Sequence, residues 1–229
     1  PWQGPWQGPG TEARYWGQTM TYCVGLLLNE GMVLLSDTRT NAGLDNISTY
    51  RQMFTFEDPG ERVIVIMTAG SLSVSQTTIA QLREAIEDPE ATPETSIMLA
   101  PTLLKVAEIV GDRLATVRAT VDEKLSVMQG ASATMIVAGQ RKGGAMRLFL
   151  IYPEGNFIEA TEDTPFLQIG EHKYGKPILD RVVKLTTSIQ DAQKAVLLSM
   201  DSTLRSNLSV GMPLDLCVIE KDACKVTQK

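Results

Sequence analysis

The feature that most constrains this chain is a predicted β-hairpin that begins at Thr21. Two apolar, β-prone runs, TYCVGLLL at residues 21–28 and MVLLSDTR at residues 32–39, flank the short segment NEG at residues 29–31. The glycine can adopt the positive φ that a tight hairpin turn requires. Because hairpin strands run antiparallel, we expect Thr21 and Asp37 to lie close together in space.

A hydroxyl and a carboxylate at one end of a hairpin form a candidate catalytic pair. A threonine at the chain terminus can act as a nucleophile, because its own α-amino group can accept the proton from its hydroxyl. Met20 precedes Thr21, and an initiator methionine is normally removed when the next residue is small. Translation from Met20 would therefore expose Thr21 without a propeptide. Taken alone, the threonine is more simply explained as a good strand former.

Composition excludes several classes of function. The 229 residues carry a net charge of −6 and their basic side chains are scattered, so we expect no nucleic-acid partner. No apolar run reaches the roughly 18 residues of a membrane span. Residues 1–19 lack the layout of a signal peptide, which predicts a cytoplasmic protein without membrane contacts.

Metal and cofactor chemistry is not indicated either. The three cysteines include no C-x-x-C pair, so neither a zinc site nor a disulfide framework is predicted. His172 is the single histidine, and the chain has no G-x-S-x-G motif, which argues against a Ser-His-Asp hydrolase. We predict no cofactor and no metal.

The chain divides into a short leader and one folded domain. Residues 1–19 repeat Pro-Trp-Gln-Gly and then lose all periodicity, as low-complexity segments do. We interpret them as a leader or upstream extension outside the fold, and assign residues 20–229 to one domain.

Hydrophobic patterning predicts an α+β fold. Strands are predicted at residues 21–28, 32–39, 50–56, 62–68, 131–138, 145–152, 157–160, 166–169, 214–220 and 225–227, and helices at residues 71–88, 97–125, 174–184 and 189–205. Residues 40–48 are predicted to form a loop. Short turns favour antiparallel sheets, and helix pairs must cover their outer faces. These elements predict a four-layer αββα sandwich of two antiparallel sheets flanked by helix pairs.

This order, with Thr21 heading a hairpin that ends in SDTR at residues 36–39, resembles the N-terminal-nucleophile (Ntn) hydrolases of the proteasome β-subunit type. Within that superfamily, SDTRTNAG at residues 36–43 and ISTYR at residues 47–51 are similar to the bacterial Anbu group, the ancestral-β-subunit proteasome homologues. The resemblance extends from Thr21 to about residue 226.

The resemblance implies a role for four residues. Thr21 would be the nucleophile and, through its freed amine, the general base; a terminal amine has a pKa of about 8, so part of it is neutral near pH 7. Asp37 would hold a positively charged partner beside the threonine. Gly70 would supply the oxyanion N–H. Asp201 would support the terminal amine, with a solvated helix carboxylate as the alternative interpretation.

The sequence also departs from the family pattern. Gln52 stands where the family places a lysine at the start of the third strand. A nearby ammonium keeps a terminal amine deprotonated, whereas a neutral amide does not. Glu171 stands where other proteasome subunits carry a serine, and Leu204 stands where another serine is usual.

Three functions remain open at this point. The first is a threonine-type peptidase that cleaves peptide or amide bonds. The second is a non-catalytic assembly or binding subunit of the same fold, which Gln52 favours. The third is an amidohydrolase of small metabolites. The resemblance also implies self-association, into a ring or an open helical array, while an ATPase partner is not specified.

Overall fold

The computed structural model of the chain describes residues 21–41, 47–125 and 131–229. The predicted leader and Met20 lie outside the described residues. The strands are β1 Tyr22–Leu27, β2 Gly31–Asp37, β3 Arg39–Asn41, β4 Ile47–Thr49, β5 Met53–Asp58, β6 Arg62–Gly70, β7 Ala133–Arg141, β8 Arg147–Ile151, β9 Phe157–Glu159, β10 Phe166–Gly170 and β11 Leu214–Glu220. The helices are α1 Leu72–Glu87, α2 Leu103–Leu125, α3 Lys176–Val182 and α4 Ile189–Ser206.

The predicted hairpin is confirmed and forms the middle of a four-stranded sheet. Its order is β10-β1-β2-β11, with every neighbouring pair antiparallel. The register places Cys23 opposite Ser36 and Tyr22 opposite Gly170. Thr21 and Asp37 therefore lie at the same end of the two central strands of this sheet, as the hairpin predicts.

The second sheet has five strands in the order β5-β6-β7-β8-β9. Its strand β6 is apolar along most of its length because both of its faces are buried. Val63, Val65 and Met67 point into the core between the sheets. Ile64 and Ile66 point into the core beneath the helices. Continuous hydrophobicity in this segment is thus the signature of a central strand with cores on both sides.

The helices form two outer layers. Helices α1 and α2 pack together on the five-stranded sheet, while α4 packs on β1 and β2 and contacts α3. Ser188 caps α4, since its hydroxyl accepts the N–H of Asp191 at 3.2 Å. Three apolar cores alternate with these layers, one between the sheets and one beneath each helix pair. The αββα sandwich is therefore confirmed.

The structure corrects three of the predicted elements. Helix α2 starts at Leu103 rather than residue 97, because Pro101 disfavours helical geometry in the residue before it. The predicted loop at residues 40–48 contains the short antiparallel pair β3 and β4. Residues 225–227 do not form a named strand; Val218 and Gln228 make an isolated bridge there instead.

None of the helices among the described residues is long and apolar enough to span a bilayer.

Candidate functional site

The candidate site lies at one end of the sandwich, where several strands begin or end. Strand β1 begins directly after Thr21, β2 ends at Asp37, and β10 ends at Gly170. Strand β6 of the other sheet ends at Gly70. The two sheets pack against each other through a shared apolar core, and near this end the Cys23 thiol donates to the carbonyl of Thr68, two residues before Gly70, at 3.6 Å. The topology thus brings Thr21 and Gly70 to the same end of the molecule.

Thr21 is held by the end of β10. It is only 2% exposed, and its carbonyl accepts the N–H of Glu171 at 2.8 Å. Gly170, with φ of +80°, lies against this carbonyl so closely that an added Cβ would overlap the oxygen. The close approach and the positive φ both require glycine here.

Asp37 lies beside the first residue of β1. It is fully buried, and its Oδ1 accepts the N–H of Tyr22, the residue after Thr21, at 3.1 Å. Its Oδ2 accepts the N–H of Gly211, also at 3.1 Å. The predicted proximity of Thr21 and Asp37 is therefore present as a contact with the adjacent peptide unit.

The surroundings of Asp37 change its acidity. Burial raises the pKa of Asp37 from 3.8 to about 7, while hydrogen bonds from the backbone of Tyr22 and Gly211 and the charge of Arg39 oppose that rise. Burial also raises the pKa of the adjacent Cys23 thiol well above its usual range, with Asp37 adding to the effect. Cys23 is therefore a neutral, inert thiol near neutral pH.

The segment of residues 207–213, which we call the α4–β11 connection, closes one side of the site. Arg39 donates from Nη1 to the carbonyl of Leu208 at 3.2 Å. Thr38 donates from both its backbone N–H and its hydroxyl to the carbonyl of Pro213. Together with the Gly211–Asp37 bond, these contacts fasten the connection to the end of β2. Sequence reasoning assigned no role to Arg39 or Gly211.

Gln52 occupies the position beside the end of β6. It is 4% exposed, and its side-chain oxygen accepts the Thr68 hydroxyl at 3.0 Å. Arg51 is exposed, as the alternation of side chains along an extended segment requires. A series of contacts therefore leads from Gln52 through Thr68 to Cys23 on the strand that carries Thr21.

Gly70 ends β6 with φ of +103°. An added Cβ would come within 2.5 Å of the carbonyl oxygen of Ser132. Backbone conformation and crowding thus explain the glycine without reference to a substrate. Its role as an oxyanion donor stays a prediction.

Asp201 requires a correction. The buried residues of α4 include Ser199, Met200 and Thr203, whereas Asp201 points to solvent and accepts from Arg205 Nε at 2.8 Å. Because 100° of rotation separates successive helical residues, the buried face of α4 excludes Asp201. The structure supports the alternative interpretation, a solvated helix carboxylate.

A different pair of residues lies where Asp201 was expected. Asn207, the C-cap of α4, donates from Nδ2 to Oε2 of Glu171 at 3.0 Å. Glu171 is 6% exposed and its own N–H binds Thr21. Sequence reasoning noted Glu171 as a departure but missed Asn207. The available signal was the position of Asn207 just after the predicted end of α4. A residue there leaves the helix and can contact the end of the sheet.

Beneath β1, a polar network ties the hairpin to the helices. The Tyr22 hydroxyl bonds the hydroxyl of Ser199 on α4 and accepts from Gln168 Nε2 on β10. Burial raises the pKa of Tyr22 to about 12, although both hydrogen bonds oppose the rise. The neutral phenol of Tyr22, the residue next to Thr21, therefore binds both α4 and β10.

No three His, Cys, Asp or Glu side chains converge as metal ligands within the described ranges. A polar cleft of about 480 Å³ lies between α1 and α2 and is lined by Gln81, Glu84, Ala85, Asp88, Glu90, Thr95 and Arg113. None of the predicted site residues lines it. The residues predicted for catalysis and this cleft thus lie in different parts of the molecule.

Comparison with known proteins identifies close structural relatives. The chain matches no protein-family model and no curated protein. It is 48% identical to a Gly-1 mutant of Anbu from Hyphomicrobium sp. strain MC1, covering 91% of this chain and 85% of that one with a TM-score of 0.84.

Two further solved structures give the same result. Anbu (ancestral β-subunit) from Yersinia bercovieri is 44% identical, with coverage of 90% and 84% and a TM-score of 0.82. The Anbu complex from Pseudomonas aeruginosa, solved as a helical assembly, is 45% identical, with coverage of 90% and 84% and a TM-score of 0.84. With this similarity along nearly all of the described sandwich, the chain belongs to the Anbu family of ancestral-β-subunit proteasome homologues.

Proposed function

We propose that this protein is an N-terminal-threonine hydrolase that cleaves peptide or amide bonds once removal of Met20 exposes Thr21. The observation that carries the proposal is the hydrogen bond from the N–H of Tyr22 to Asp37 at 3.1 Å. It places a buried carboxylate one residue from the atom that would become the terminal amine. A carboxylate in that position favours a charged partner beside the threonine.

The proposed reaction needs few groups. The freed amine of Thr21 takes the proton from the Thr21 hydroxyl, and the oxygen attacks the carbonyl carbon of the substrate. The N–H of Gly70 stabilises the resulting oxyanion. Collapse forms an ester on Thr21 and releases the amine product, which carries the transferred proton. Water then hydrolyses the ester and regenerates the threonine.

A second candidate is a non-catalytic assembly or binding subunit. Gln52 favours it, because a buried neutral amide stands where the resemblance implies an ammonium. Burial raises the pKa of Asp37 to about 7, and the charge of Arg39 offsets only part of that rise. Hydrolysis of small-metabolite amides would use the same residues as peptide cleavage, and substrate trials distinguish the two.

We also propose that the chain self-associates. A relative of 45% identity from Pseudomonas aeruginosa was solved as a helical assembly, which supports a repeating contact between copies in this protein. The cytoplasmic location expected from the sequence stays a prediction, and cell fractionation tests it.

The test compares chains that begin at Thr21. Intact mass first verifies the N-terminus, and hydrolysis of short peptide amides is then measured. We expect Thr21→Ser to retain activity and Thr21→Ala to lose it, because serine keeps a hydroxyl beside the amine. A chain with one extra residue before Thr21 should also be inactive. Equal rates for the parent and Thr21→Ala would overturn the hydrolase proposal in favour of the second candidate.

A further inference from the structure

One stripe of α4 carries an unusual arrangement of exposed side chains. The residues follow each other at spacings of three and four, so they share one helical face. We call the set Asp191, Lys194, Leu198, Asp201 and Arg205 the α4 stripe. It faces away from the core, because the buried residues Ala192, Ala195, Val196, Ser199, Met200 and Thr203 occupy the opposite side.

The α4 stripe is exposed along its length. Leu198 is 59% exposed and the adjacent Leu197 is 45% exposed. The four charged side chains are between 55% and 78% exposed. An apolar centre flanked by charged ends resembles the layout of a protein interface, with an apolar middle and a polar rim.

The charges are arranged antisymmetrically about Leu198. Asp191 and Arg205 lie seven residues before and after it, and Lys194 and Asp201 lie four before and three after. Each acidic residue on one side therefore has a basic residue at the corresponding place on the other side. A helix with this pattern is complementary to its own copy turned end to end.

We propose that the α4 stripe is a contact between two copies of this chain, related by a two-fold axis at Leu198 with their α4 helices antiparallel. This proposal rests on the self-association proposed above and names one contact within it, which joins copies in pairs and would need a second, different contact to build a repeating array. In such an isologous contact residue i meets j and j meets i. Asp191 then faces Arg205 of the other copy, and Lys194 faces Asp201.

Parallel alignment of the same two helices is unfavourable. In register, it would place Asp191 against Asp191 and Lys194 against Lys194, and like charges in contact repel. The antiparallel arrangement instead extends pairs that already exist within each helix. Lys194 binds Asp191 at 2.9 Å and Arg205 binds Asp201 at 2.8 Å. Each end of the contact would join one such pair from each copy into a four-charge network.

Leucine burial and charge make different contributions. Exposed ion pairs contribute little to stability individually, so the charges chiefly select partner and register. Leu197 and Leu198 supply apolar area at the centre, where contact residues contribute most to affinity. Because α4 spans about 27 Å at 1.5 Å per residue, the contact is long enough to include both charge networks and the apolar centre.

The experiment uses single charge reversals and their mixture. Lys194→Glu places a new carboxylate opposite Asp201 of the other copy, and Asp201→Lys places a new ammonium opposite Lys194. Each variant alone should associate at least about tenfold more weakly than the parent. Mixed in equal amounts, they should recover association, because every facing pair in the heterodimer has opposite charges. The readout is analytical ultracentrifugation of the full chain.

Controls separate the contact from local effects on the helix. Lys105→Glu in α2 breaks a comparable pair with Glu108, at 3.1 Å and the same spacing of three residues as Lys194 and Asp191. Leu104→Ser in α2 matches Leu198→Ser, since Leu104 is 37% exposed. The α2 variants should leave association unchanged, whereas Leu198→Ser should weaken it. Thermal unfolding verifies that all variants are folded.

Each outcome decides between the proposals. A monomeric parent would overturn both self-association and this contact, while leaving the hydrolysis test on Thr21 unaffected. An assembled parent whose association is unchanged by both reversals would overturn the α4 contact alone. Weakened single variants that fail to recover when mixed would overturn the antiparallel register. Salt should weaken the parent's association, as exposed charge pairs require.

Discussion

The side-chain amide of Asn207 donates to the buried carboxylate of Glu171 at 3.0 Å, joining the end of α4 to the residue that binds Thr21. The other side of the amide, Oδ1, accepts the N–H of Ser209 at 2.9 Å. Asn207 therefore orders both Glu171 and the α4–β11 connection. The Asn207 side chain therefore links α4 to the end of the sheet at which Thr21 lies.

Asn207→Ala should destabilise the fold by roughly 1–3 kcal/mol, because it removes the amide donor to a buried carboxylate. Asn207→Asp should destabilise it more at neutral pH, since a second carboxylate would face Glu171. Adding Glu171→Gln to Asn207→Asp should recover much of that loss, because the amide and the carboxylate exchange places. Urea unfolding measures the free energy of unfolding of all three variants. No recovery in the double variant would contradict a stabilising hydrogen bond between residues 207 and 171.

The raised pKa of Asp37 predicts a pH-dependent stability. Between pH of about 4 and about 7 the folded chain binds more protons at Asp37 than the unfolded chain does. The contribution of Asp37 to the free energy of unfolding should therefore fall as pH rises through this window and level off above pH of about 7.

Asp37→Asn serves as the reference for this effect, because other titrating groups cancel in the comparison. The free energy of unfolding of the parent minus that of the variant should decrease steadily across the window in urea titrations. A difference that stays constant or increases with pH would show that the pKa of Asp37 is not raised in the folded chain.

The contact of Gly170 with Thr21 predicts an unusually costly substitution. Gly170→Ala places a Cβ against the Thr21 carbonyl and forces alanine to a φ of +80°. Gly60→Ala is the matched control, because Gly60 has φ of +85° and nothing within 4 Å of the added Cβ. We expect Gly60→Ala to lower the free energy of unfolding by about 1–2 kcal/mol, from backbone conformation alone. Gly170→Ala should lower the free energy of unfolding by more than about 3 kcal/mol or prevent folding. Urea unfolding measures both variants, and equal losses in the two would exclude crowding at Gly170 as the cause.

Gln52 distinguishes the hydrolase from the assembly subunit. Gln52→Lys introduces a positive charge that would keep Asp37 ionised and disfavour protonation of a nearby terminal amine. In chains that begin at Thr21, hydrolysis of short peptide amides should rise by at least about tenfold, or roughly 1.4 kcal/mol of barrier. Thr21→Ala in the same variant must abolish the gain. An unchanged rate with a verified N-terminus would favour the assembly subunit.

Local patterning in the sequence was enough to predict most of the architecture. Alternating and continuous apolar runs identified the hairpin, the buried strand β6 and the helix pairs, since these signals arise within a few neighbouring residues. The hairpin alone placed Thr21 and Asp37 at one edge, because antiparallel pairing returns the chain to its start. The β3–β4 pair was missed because its polar sequence gives no such signal.

The surroundings of Thr21 were decided by tertiary packing. Asp201 lies in α4 and Asn207 caps the C-terminus of that helix, and only the packing of α4 on the sheet turns Asp201 outward and brings Asn207 to Glu171. The Gly211–Asp37 bond joins residues far apart in sequence and depends on how β11 pairs with β2. Local patterning predicted the elements and the placement of Thr21 and Asp37 at one end of the hairpin, whereas the contacts around these residues follow from long-range packing that local periodicity does not encode.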